Sequence, residues 1–252
     1  MRILSIACGL LLAGSAVAQN STGCSPTSSD NEVVRYTWAL QSLLERFYAS
    51  QPINQTFLGN ATNSSRTESY YRNFQGIQRE SRLGVRAVQQ IGSRLSNFSS
   101  PTCNFTYPNA TDAEGYVRTA LRLESSVASA LIGAAGYTRS PEVSFLLSRL
   151  ASQHTAGATW LATQQSDSVF QPMSGALVPA YNPSYVLSTS GDQPGKLGRY
   201  LRGCVRAPVN LCGQQFFIGP LIGTIGEQGS ETSSSSSSAI SPTAAARNLF
   251  GS

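Results

Sequence analysis

Basic chemistry is thinly stocked in this chain. Of 252 residues, Lys196 is the only lysine and His154 the only histidine. A single imidazole rules out H-E-x-x-H, and any Ser-His-Asp arrangement would have to use His154. There is no G-x-S-x-G elbow and no phosphate-binding loop. Basic residues form no compact run and do not interleave with aromatics, so the chain is not read as a nucleic-acid binder. No stretch approaches the about 20 apolar residues of a membrane span, so no transmembrane segment is expected. No C-x-x-C pair exists, which argues against a cysteine metal site. Glycoside hydrolysis by paired carboxylates needs an open cleft, and nothing in the sequence marks one.

What is present points to export. Met1-Arg2 precedes an apolar run from Ile3 to Leu12, then small residues ending Ala16-Val17-Ala18. These are the parts of a secretory signal peptide, residues 1–18, with cleavage before Gln19. Seven N-x-S/T sequons follow, at Asn20, Asn54, Asn60, Asn63, Asn97, Asn104 and Asn109. Each one used must sit on an accessible surface. Cys8 lies in the leader, which leaves Cys24, Cys103, Cys204 and Cys212, an even number in an oxidising compartment. Two disulfides are the default, and three pairings are open. The short gap from Cys204 to Cys212 makes a local loop easy to close, in which case Cys24 would pair with Cys103. Without Arg2 the chain carries 17 basic and 13 acidic residues, a net charge of +4. Such a mildly basic surface favours acidic polymers or anionic lipid weakly.

The mature chain divides into three zones. Residues 19–164 carry the helical signals. Residues 165–228 are rich in Gly and Pro and read as an irregular extension packed on the helices. Residues 229–252 include the run Ser233 to Ser238, a composition that cannot offset its ordering entropy, so this tail is expected to be disordered. Within the extension, the apolar stretch Phe216 to Gly223 is read as packing back beside Cys212, with a partner or lipid contact as the other use.

Helix starts are marked by capping boxes at Ser29-x-x-Glu32, Ser65-x-x-Glu68 and Thr111-x-x-Glu114, and by Ser140-Pro141. Each opens a run with three-four spacing. The seams are Val34, Thr37, Gln41, Leu44, Tyr48; then Phe74, Ile77, Ser81, Gly84, Val88; then Val117, Leu121, Glu124, Ala128; then Val143, Leu147, Leu150, His154, Leu161. Such seams are what packed helices need. The chain is therefore expected to be all-α, a four-helix bundle, with one long crossover around Ser99 to Pro108.

Three seams hold a polar residue among apolar neighbours: Gln41, Glu124 and His154. Glu80 lies beside the second seam. Buried carboxylates are costly unless paired or metal-bound. The local sequences WALQSLLERFY, IQRESRL, ALRLESSVASALIGAAGY and RLASQHTAGATWL resemble the ferritin-like family found among secreted fungal proteins. That resemblance implies a di-metal bundle with Glu, Glu-x-x-His, Glu and Glu-x-x-His on successive helices. Here Gln41 stands at a Glu position, Leu83 at the His partnering Glu80, and Ala151 at the Glu preceding His154. Glu80, Glu124 and His154 remain. They are the candidate metal ligands, sufficient for a single Fe, Mn or Zn in a facial-triad arrangement but short of the di-metal set.

No resident cofactor is the expectation on balance. The missing ligands and the Ser-rich tail favour a non-catalytic secreted glycoprotein, wall-associated or a secreted effector; the resemblance implies a context of stress response or development, and the partner is left open, with a cell-wall polymer or a host protein as candidates. The competing readings are a metal-dependent oxidoreductase with a reduced site and a small-ligand carrier using the bundle interior.

Overall fold

Helix starts, seams and long connections account for most of the architecture. The computed structural model describes residues 24–51, 53–59, 67–108, 112–170, 177–190 and 193–225. The expected leader, the Ser-rich tail and the sequons Asn20, Asn60, Asn63 and Asn109 lie outside the described residues. Four long helices carry the core: α1 (Asn31–Ala49), α3 (Thr67–Gly92), α4 (Ala113–Ala134) and α5 (Pro141–Thr163). Short helices are α2 (Gln55–Gly59), α6 (Pro183–Leu187) and α7 (Gly198–Leu201), and a hairpin of β1 (Phe216–Gly219) and β2 (Gly223–Ile225) follows. Among the described residues, no helix is long and apolar enough to cross a membrane.

Two of the start signals moved by a residue or two. The first helical turn is capped by Thr27 and Asp30, whose carboxylate accepts from the Thr27 backbone N–H at 2.8 Å, rather than by Ser29 and Glu32. At α4 the cap is Asp112, which accepts from Gly115 N at 2.6 Å. An aspartate caps as well as a threonine, and it competes wherever it stands one residue nearer the helix. Ser140 caps α5 as expected, with Pro141 at the first helical position.

α1 packs against α3, and α4 against α5 as a helical hairpin. The core is one cluster running through all four helices. At one end it is aromatic: Phe47 stacks on Tyr116 at 4.8 Å, and Phe74 meets Trp160 edge-on at 5.3 Å. Such pairs contribute beyond their buried area.

The segment between α3 and α4 is the expected crossover, and it is tied down along α1. Arg35 donates to Ser99 O, Arg46 to Cys103 O and Tyr107 to Leu43 O. Cys103 is buried and bonded to Cys204, closing a separation of 101 residues. Of the three open pairings, this bond excludes the local Cys204–Cys212 loop that the short gap makes easy to close. The left-handed residue Arg202, at φ 50°, turns the chain so that Cys204 faces the crossover. Cys24 is half-buried and Cys212 exposed, and neither is in a disulfide.

The extension lies on α4, over its small-residue face. Tyr181 N donates to Ser129 O, and Gly195 N to Ser126 Oγ. A Cβ on Gly133 would sit 2.0 Å from Tyr181 O, so only glycine admits that backbone. The hairpin does not pack back in the same way. Phe217, Ile218, Leu221 and Ile222 are all exposed, and its anchor on the bundle is Ile225, against Gly136.

Candidate functional site

Two turns of α1 bring Gln41 and Tyr48 onto one face, seven residues apart. α4 presents Glu124 and α5 presents His154 to the same point. All four side chains are essentially sealed from solvent. They form one chain of hydrogen bonds. Tyr48 Oη donates to Glu124 Oε1 at 2.6 Å. His154 Nδ1 donates to Glu124 Oε2 at 2.6 Å. The Gln41 amide meets His154 Nε2 with Nε2 at 2.8 Å and Oε1 at 3.1 Å. With the proton on Nδ1, the free Nε2 lone pair accepts from the amide; a half-turn of the amide serves the doubly protonated ring equally. Burial, and then the Glu124 carboxylate, push the Tyr48 hydroxyl pKa well up, so it stays a donor.

Packing around this network is close. A Cβ on Gly84 would lie 2.1 Å from Gln41 Oε1, and one on Gly157 would lie 3.4 Å from Glu124 Oε2. Gly84 is the close-approach position, where the backbone itself forms the wall, whereas the distance at Gly157 is an ordinary van der Waals contact. That leaves no room at Gln41 for the small ligand a carrier would hold.

The expected ligands part company here. Glu124 and His154 come together as the seams implied. Glu80 does not join them: it is exposed and lines an open groove between α3 and α5. Leu83, three residues on, is also exposed. The buried i, i+3 pair of α3 is Ser81 and Gly84, one position along. Sequence reasoning matched Glu80 by its carboxylate, although the seam already ran through Ser81 and Gly84. It also missed Tyr48 as a site residue; its place in the same seam as Gln41 was the available signal.

The donor set decides what the site can do chemically. A metal centre needs carboxylate and imidazole lone pairs aimed at a common point. Here both Glu124 oxygens and both His154 nitrogens are taken by one another and by Tyr48 and Gln41. Ala151 and Gly84 supply no donor, and Gln41 offers only an amide. The residues do not fit the di-metal centre, nor the three-ligand site with Glu80. Among the described residues, no group of three His, Cys, Asp or Glu side chains is placed to hold a metal.

Compared with known proteins, residues 29–166 match the family model described as the ferritin-like domain. No curated protein and no solved structure matches the chain.

Proposed function

The chain belongs to the ferritin-like domain family, and we propose that it is a secreted, N-glycosylated, non-catalytic member in which a closed hydrogen-bond network stands where relatives of the fold build a metal centre. The observation that carries this reading is the Tyr48–Glu124–His154–Gln41 chain, in which each ligand-type atom already has a protein partner. A satisfied polar network of this kind rigidifies a core and fixes its packing. The bundle then acts as a scaffold for its surface.

Export is supported by the leader-like start and by the seven sequons. Asn54, Asn97 and Asn104 are all exposed, as glycosylation requires. Asn54 also caps α2 through Oδ1, the atom a glycan does not use. The Cys103–Cys204 bond is in keeping with an oxidising compartment. The resemblance to secreted fungal proteins adds the context of stress response and development at the cell wall, with a wall polymer or a host protein as partner.

The test is elemental mass spectrometry of the secreted, deglycosylated chain after exposure to Fe, Mn and Zn, beside His154→Ala. Substoichiometric metal in both proteins is expected. One equivalent in the wild type that disappears in the variant would overturn the scaffold reading and restore the oxidoreductase.

A further inference from the structure

From Ala207 to Gly226 the sequence contains no charged residue. This stretch holds the β1–β2 hairpin, on which Phe217, Ile218, Leu221 and Ile222 face outward while Ile225 anchors the base. Phe217 is 71% exposed, Leu221 61%, Ile222 57% and Ile218 49%, and Val209 beside the hairpin's base is 68% exposed. Scattered single apolar residues on a surface need no explanation, but a contiguous cluster does. The tip is also shaped. Gly219 at φ 143° and Gly223 at φ 87° bracket Pro220, whose ring removes one more freedom, and Ile222 N donates back to Gly219 O at 3.2 Å. The base is held by Asn210, which donates to Gln214 O and accepts from Cys212 N. An apolar tip on a turn held by its own backbone results.

Arginines flank the hairpin along the chain and at its base. Arg202 and Arg206 precede it, and Arg139 lies three residues from Gly136, where Ile225 is anchored. All three are exposed, and none has a hydrogen-bond or ion-pair partner among the described residues. Glu32 shares a shallow surface pocket with Arg206, but Arg35 lines the same pocket. Glu142, the nearest acid along α5, is already paired with Arg94.

We propose that the β1–β2 hairpin is a membrane-contact wedge: its apolar tip enters the interface of an anionic lipid surface while Arg139, Arg202 and Arg206 meet the headgroups. Exposed, unpaired arginines at the base of an apolar tip suit an anionic bilayer interface better than a second copy of the chain, which would bring the same like charges together. Apolar insertion and basic attraction are the two terms that hold peripheral proteins on membranes, and either alone is weak. The wedge goes beyond the scaffold reading and stands whether or not a metal binds.

The test uses the full glycosylated chain and vesicle cosedimentation. One vesicle set is phosphatidylcholine alone, and the other carries about 30% phosphatidylserine, enough for a surface potential of about −30 mV. Binding to the anionic set, falling as salt rises, is the expected result. Phe217→Asp with Leu221→Asp should weaken it at least tenfold, and Arg202→Glu with Arg206→Glu should abolish the preference for anionic vesicles. Both changes fall on exposed positions, so an unchanged thermal midpoint verifies that the fold is kept. Absence of binding to both vesicle sets, or binding that the tip variant leaves unmoved, would overturn the proposal. So would a tip variant that altered only the sedimenting mass of the free protein, since that would make the hairpin a self-association surface.

Discussion

Two carboxylates in this molecule begin from similar sequence positions and end in opposite environments. Glu124 and Glu80 both lie on or beside an apolar seam of a long helix. Where α1, α4 and α5 meet, Glu124 is buried and accepts from Tyr48 and His154. Across the groove between α3 and α5, Glu80 looks into solvent with no partner among the described residues. The groove, about 1060 Å³, opens because contacts between α3 and α5 are sparse beside those of α1 with α3 and α4 with α5. Burial is what separates the two, since the same charge is cheap in water and costly inside unless it is paired.

The largest expected effect tests that contrast directly. Glu124→Ala leaves the His154 Nδ1–H and the Tyr48 hydroxyl buried without an acceptor. Breaking a buried pair this way should cost about 3–5 kcal/mol in chemical denaturation. Glu80→Ala should stay within about 0.5 kcal/mol, as surface changes do. Comparable losses in the two variants would mean that Glu80 has a buried partner and that the groove is closed in solution.

A second contrast lies within α3 itself. Gly84 abuts the Gln41 amide, whereas a Cβ on Gly76 would meet nothing within 4 Å. Gly84→Ala should force Gln41 off His154 and destabilise by about 1–3 kcal/mol. Gly76→Ala replaces a poor helix former at an exposed site and should stabilise by about 1 kcal/mol. Equal and favourable changes at both positions would show that the network has slack and that Gln41 does not hold the ring.

Much of this was legible before any coordinates. The seams of Val34 to Tyr48 and Val143 to Leu161 needed only three-four spacing, and Ser140-Pro141 marked a start that the structure keeps. The meeting of Gln41, Glu124 and His154 was legible too, because each interrupts an apolar stripe. Three things were not. The exposure of Glu80 turns on the rotation of α3: the seam runs through Ser81 and Gly84, yet the carboxylate of Glu80, one position and about 100° away, fits the resembling ligand pattern. The bond from Cys103 to Cys204 depends on tertiary proximity, which a separation of 101 residues conceals. The outward face of the hairpin, expected to pack back beside Cys212 with a partner or lipid contact as the other use, is hidden because an uncharged apolar stretch looks alike whether it packs or protrudes.

The smallest effect comes from an ion pair at the end of the open groove, and it fixes the other limit of the comparison. Arg94 and Glu142 pair through both nitrogens, joining the C-terminal end of α3 to the first turn of α5. Their side chains keep 47% and 29% of their exposure, so water still solvates both charges. A pair in that setting contributes about 0.2–1 kcal/mol, and salt screens it. Arg94→Ala should therefore cost about 0.5 kcal/mol at low salt and less at high salt, whereas the Glu124→Ala loss should barely move across the same series. A salt-insensitive loss at Arg94 would assign its role to packing of the side-chain stem rather than to charge, because a stem pressed on apolar surface feels no ionic strength.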